Sequence, residues 1–193
     1  MHIVETEVFT IDELDDKAKA RARDWCREGF DWEWWEGILD NAREIGAVLG
    51  FDISHGRDGI AFSGFSNQGD GASFTGTWSP PQAPVANMRK LGFGEPVASE
   101  LLGFAREAWE ITRKLTKDER AEAPFTVSRS GRYSHEMTMR CERDDVLELA
   151  RDFTRWIYCQ LETEWDYMNS DGYVDDHIRA NEYTFTVDGK QFG

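Results

Sequence analysis

The side chains best suited to chemistry in this sequence are four histidines (His2, His55, His135, His177), three cysteines (Cys26, Cys141, Cys159) and a large surplus of carboxylates. None of the histidines has a cysteine, serine or carboxylate at a spacing characteristic of a zinc site or of a nucleophile and its base. His135 reads as a sheet residue, and Cys26, beside Trp25 on a helix, as a small half-buried residue rather than a reactive thiol. An odd cysteine set without close pairs fits reduced thiols in a cytosol. With 37 acidic residues accidental carboxylate pairs are inevitable, so no acid–base couple stands out. No catalytic residue, metal site or cofactor is assigned on this basis, and the balance lies against an enzyme.

Three stretches depart from ordinary surface sequence. Gly64 to Gly76 is rich in glycine, yet it runs into β-type sequence ending at Trp78, whereas a phosphate cradle leads into a helix and carries a lysine. It reads as a structural hairpin loop or as a ligand- or partner-binding loop, with Ser66, Asn67, Gln68, Asp70 and Ser73 as its working groups. Asp166, Asp171, Asp175, Asp176 and His177 crowd a second span. Taking Gly172 as the turn glycine of a calcium loop puts Tyr167 first and Ile178 last, where oxygen ligands are needed, so the match fails.

In the third case, large aromatics interleave with acids from Asp24 to Glu36 and again from Glu162 to Tyr173. Trp32, Trp34 and Trp35 cannot all lie on one side of a helix, so at least one is expected at the surface or at a helix end. Two readings stay open. Either the rings fill the core while carboxylates keep the surface soluble, or an acidic, aromatic-studded face engages a basic groove on a partner. That face would comprise Asp31, Glu33, Trp34, Glu36, Glu162, Glu164, Asp166, Asp171, Asp175 and Asp176.

The net charge of -15 is unevenly placed: residues 1–50 carry -7, residues 51–140 are neutral and residues 141–193 carry -8. A field of this sign repels phosphate backbones and anionic lipid heads, which argues against direct nucleic-acid or membrane binding and for a basic protein or nucleic-acid-binding complex as partner. No apolar run is long enough to span a bilayer and residues 1–7 lack the features of a signal peptide, so a cytoplasmic location is expected.

The elements that must position these groups follow from periodicity. Ile3 to Phe9 alternates as a strand, and the Thr10/Glu13 pair predicts a helix start, the helix running to about Glu28 on Leu14, Ala18, Ala22 and Trp25. A second helix, ending at Gly50, is expected to pair with it. Phe51 to Trp78 reads as a meander of strands, and Ser79 to Glu95, with three prolines, as a connector. A helix over Val97–Thr116, a hairpin with Tyr133, His135, Met137, Met139 and Cys141 on one core face, a helix over Asp144–Met168, a short Ser170-capped helix and a last strand complete the chain. The pattern predicts a single α+β domain over residues 1–193, a mainly antiparallel sheet with four to five helices.

Val8 to Leu14, the Ile60–Phe74 segment with its Ser-Gly-Phe and Gln-Gly-Asp-Gly-Ala-Ser-Phe runs, and Arg179 to Tyr183 together resemble a group of uncharacterised bacteriophage and prophage proteins. The resemblance implies a phage setting, hence a host bacterial cytoplasm, and brings no assigned residues. Joined to the charge, it leads to an expected acidic binding protein that inhibits a host defence or nucleic-acid-processing complex by nucleic-acid mimicry, in the manner of anti-CRISPR or antirestriction proteins. The alternatives are a small-ligand binder or enzyme using the Asn67–Ser73 loop, and an antitoxin-like partner of a basic toxin.

Overall fold

The computed structural model describes residues 5–30, 33–56, 59–131, 134–140 and 143–192. Its elements are a 3-10 turn Ile11–Glu13, α1 Asp16–Glu28, α2 Glu36–Leu49, β1 Phe51–Ile53, β2 Ala61–Ser63, β3 Gly71–Ser73, β4 Gly76–Trp78, α3 Pro84–Lys90, α4 Val97–Lys114, α5 Lys117–Glu122, β5 Phe125–Gly131, β6 Ser134–Met139, α6 Asp144–Asn169, α7 Asp171–Ala180, β7 Thr184–Phe185 and β8 Gln191–Phe192. The chain is α+β, its sheets antiparallel. It packs as two compact units: a terminal unit of residues 1–34 and 162–193, and a central unit of residues 35–161.

In the terminal unit, the Thr10/Glu13 capping box forms but closes only the 3-10 turn. Leu14 is extended, and Asp15 starts α1 by accepting the Ala18 N–H at 2.8 Å. Asp15 and Asp16 thus move the helix start past the expected one. α1 buries Ala18, Ala22 and Cys26 with Val174 and Ile178 of α7, and Ile11, Leu14 and Phe185 complete the core. The partner of α1 in this unit is α7. Of the expected first strand, the described residues keep only an antiparallel bridge between Phe9 and Phe185, with N–H···O distances of 2.8 and 2.9 Å; Ile3 and Val4 lie outside them. Ser170 caps α7 through the Tyr173 N–H, as its position predicts.

In the central unit, α2 ends at Gly50 in the left-handed conformation, as expected of a C-terminal cap. The main sheet has the order β1-β4-β5-β6, so the expected meander is interrupted: β2 and β3 form a hairpin of their own between β1 and β4. Rings of Phe51, Phe74, Trp78, Phe125 and Phe153 fill the core, and the Trp78 indole donates to the Leu49 carbonyl at 3.0 Å. The expected connector contains α3, because Pro84 occupies the first helical turn, where a missing N–H costs nothing and the fixed φ suits the helix. On β6 only Met137 of the expected core face is fully buried; His135 and Met139 are half-buried, and Tyr133 and Cys141 lie outside the described residues. β6 is an edge strand of the main sheet, and β3 packs beside it.

Candidate functional site

The register of the β2–β3 hairpin pairs Ser63 with Gly71 and Ala61 with Ser73. Side chains alternate along a strand, so Ser63 and Ser73 share one face, and Gly71 leaves a gap on it. His135 of β6 occupies that gap: a Cβ at Gly71 would lie 3.2 Å from the His135 Cβ. The imidazole is held between two hydroxyls, with Nε2 2.8 Å from Ser63 Oγ and Nδ1 3.2 Å from Ser73 Oγ. Ser73 is fully buried and Ser63 is exposed.

Asp70 closes the network. Its carboxylate accepts the backbone N–H groups of Asn67 at 2.6 Å and Ser66 at 3.0 Å, which hold its pKa below the usual carboxylate range. This fold of the loop brings the carboxylate against Gly64, which has φ +53°, and a Cβ there would lie 2.1 Å from an Asp70 oxygen. Gly64 and Gly71 therefore give room to Asp70 and His135, which accounts for the glycine-rich stretch without a phosphate cradle.

Burial pushes the His135 pKa below its ordinary value of 6.5, the Arg129 cation adds to this, and Asp70 opposes it. The ring is neutral at neutral pH, with one nitrogen donating and one accepting. Two proton arrangements satisfy it. In one, Ser73 donates to Nδ1 and Nε2–H donates to Ser63. In the other, Ser63 donates to Nε2 and Nδ1–H donates to Ser73, leaving Asp70 to its two backbone donors.

Asp70, His135 and Glu136 form one side of an open groove of about 320 Å³, and Arg151, Arg155 and Tyr158 of α6 form the other. Arg151 pairs with Glu148 and Arg155 with Asp152, each within the helix and near the surface. Such pairs contribute little stability and can yield to an incoming anion. A run of rings fixes the hairpin beside α6: Trp35 to Phe62 at 5.7 Å, Phe62 to Phe65 at 6.3 Å, and Phe65 stacked on Tyr158 at 5.5 Å.

Of the residues singled out in the loop, Asp70 and Ser73 meet in this network. Asn67 and Ser66 serve it through their backbone, and Gln68 makes no hydrogen bond among the described residues. His135 and Ser63 were not signalled by spacing, because they lie 72 residues apart. Among the described residues no group of three or more His, Cys, Asp or Glu side chains is placed to hold a metal ion, and no helix is long and apolar enough to cross a membrane.

The acidic set of the terminal unit is arranged differently. Arg23 grips Asp175 with two bonds of 2.7 Å and reaches Asp171 at 2.6 Å. Arg27 also binds Asp171 at 2.6 Å, and Arg179 joins Asp12 to Asp176. Asp175 is buried, which corrects its expected place on an exposed partner-binding face: it sits in the α1/α7 seam with a guanidinium of its own. Asp171 and Asp176 are exposed but already ion-paired. Glu33, Glu36 and Asp166 are exposed, Glu162 and Glu164 are half-buried, and Asp31 lies outside the described residues. Trp34 and Trp165 touch at 5.8 Å, bringing the two acidic-aromatic stretches together. Cys26, in the same unit, is buried, and burial raises its thiol pKa.

A family model described as a domain of unknown function, DUF8835, matches residues 34–171. The chain belongs to the DUF8835 family. No curated protein and no solved structure matches it. The DUF8835 stretch takes in the whole central unit, with Ser63, Asp70, Ser73, His135 and the groove. It excludes α1 and, apart from Asp171, α7. The ion-paired seam thus lies almost entirely outside the DUF8835 match.

Proposed function

We propose that this DUF8835 protein binds a small polar ligand with an anionic group in the groove between β6 and α6, with His135 exchanging hydrogen bonds or a proton with it. The observation that carries this reading is a neutral, half-buried imidazole, fixed at both nitrogens by hydroxyls, on one wall of a groove whose other wall bears two arginines. The arginines supply attraction for the anion, and the opposite wall supplies acceptors in Asp70 and Glu136. Thermal unfolding with a panel of small phosphates, carboxylates and amino acids tests it. A ligand at a hundred times its Kd should stabilise the fold by about 2.7 kcal/mol. That gain should vanish in Arg155→Ala, a change at a largely exposed side chain, and in His135→Gln. A panel without any stabilising member, or a gain retained in both variants, would refute the reading.

A second reading has one observation in its favour, the Trp34–Trp165 contact. It gathers Glu33, Glu162 and Asp166, which make no ion pair among the described residues, around exposed Trp165 and Tyr167. This is the smaller acidic face that a phage-type inhibitor of a basic defence or nucleic-acid-processing complex would present. Reversing Glu162 and Asp166 to lysine should abolish binding to such a complex and remove its salt dependence; unchanged binding would refute it.

A further inference from the structure

We propose that Ser63 is a nucleophile, activated by His135, that accepts an acyl group from an activated ester. The inference rests on the reading of the groove as a ligand site and adds to it a covalent step. Three features of the geometry support it. Ser63 is an exposed residue at the end of β2, and its hydroxyl lies 2.8 Å from Nε2 of His135, within reach for direct proton transfer. The far side of the ring is fixed by Ser73, a buried hydroxyl 3.2 Å from Nδ1, so the base has an orienting partner, as activated serines require. Asp70 stands close enough to favour a positive charge on the ring, which offsets its partial burial when it takes up a proton.

The step uses the arrangement in which Ser63 donates to Nε2 and Asp70 keeps its two backbone donors. As Oγ attacks the acyl carbon, the Oγ–C bond forms and the Ser63 proton passes to Nε2. The bond from carbon to the ester oxygen then breaks, and that oxygen leaves with the proton from His135. Water, deprotonated by the same nitrogen, attacks the acyl-serine; the acyl–Oγ bond breaks, Oγ takes back the proton from His135 and the acid is released, so the sum is ester plus water giving acid plus alcohol. Ser66 and Asn67 cannot take this role, since they meet the network only through backbone amides.

The test traps Ser63 with a fluorophosphonate on the full-length chain: Oγ bonds to phosphorus, fluoride leaves, and the proton goes through His135 to solvent. One equivalent of adduct is expected on Ser63 by intact mass and peptide mapping. It should be absent in Ser63→Ala, slowed on the order of 100-fold in His135→Gln, slowed less in Ser73→Ala, and unchanged in Ser66→Ala, which keeps the amide that the network uses. In the wild type the labelling rate should rise with pH and level off once His135 is neutral. No adduct on Ser63, or equal rates in a folded His135→Gln, would overturn the proposal. If that variant does not fold, a wild-type rate still climbing beyond pH 8 overturns it equally. Anion stabilisation without labelling sinks this inference alone, and labelling without anion stabilisation sinks the ligand reading alone.

Discussion

The terminal and central units use the same kinds of polar residue in opposite ways. Around α1 and α7, arginines and carboxylates face one another: Arg23, Arg27 and Arg179 take up Asp171, Asp175, Asp12 and Asp176, and little of that charge is left for a partner. Around His135, the nearest polar partners are two hydroxyls and a carboxylate held by backbone amides, and one side of the network opens on a groove. Saturated ion pairs lock two helices together, whereas a network with an open side can trade hydrogen bonds with a ligand. Charge density alone therefore does not single out the network with the open side.

The comparison can be broken most forcefully at Asp175. Its replacement by alanine leaves much of the Arg23 guanidinium unpaired inside the seam and should cost about 3 kcal/mol in denaturant unfolding. The Asp175 carboxyl is held below its ordinary value of 3.8, chiefly by its hydrogen bonds to Arg23. Its contribution is complete above that value and lost as pH falls through the lower folded one, so Asp175→Asn should weaken the acid dependence of unfolding. Gly64→Ala should come next, at roughly 2 kcal/mol, because it combines a left-handed backbone with a clash against Asp70.

Ser73→Ala removes one partner of a half-buried ring and should cost about 1 kcal/mol. It should also shift the His135 titration followed by NMR. In the wild type that titration should have its midpoint below 6.5, the direction burial dictates. Since the folded protein holds this proton less tightly than the unfolded chain, the stability involved is complete above 6.5 and declines as pH falls towards the depressed value. Ser66→Ala should be the mildest, within about 0.5 kcal/mol, because only its amide is used. A large effect there would mean that the loop side chains, and not His135, are the working groups.

Much of the fold was legible where local chemistry decides it. The Gly50 cap, the β5–β6 hairpin, the long α6 and the Ser170 start of α7 follow from periodicity and capping alone. The departures have local causes as well: Asp15 competes with Thr10 for the helix start, and Pro84 begins a helix that a count of prolines argues against. The site was half legible. Asp70 and Ser73 lie in the stretch that composition singles out, but His135 joins them only through the placement of β3 against β6, which no spacing encodes. The available signal was the alternation that puts Ser63, Gly71 and Ser73 on one hairpin face, a glycine between two hydroxyls leaving space for a ring. The pairing of Asp171 and Asp175 was not legible, because arginines remote in sequence reach them only once α1 and α7 meet.

The antiparallel bridge from Phe9 to Phe185 bears on how the chain comes off the ribosome. Translation at roughly 10 residues per second delivers α1 more than ten seconds before the residues that cover it, since the whole of 35–161 is made in between. Throughout that interval Ala18, Ala22 and Cys26 present a greasy stripe to any chaperone at hand, and the central unit has every residue it requires before they are covered. A helix that emerges ahead of the whole central unit thus finds shelter only after that unit is complete.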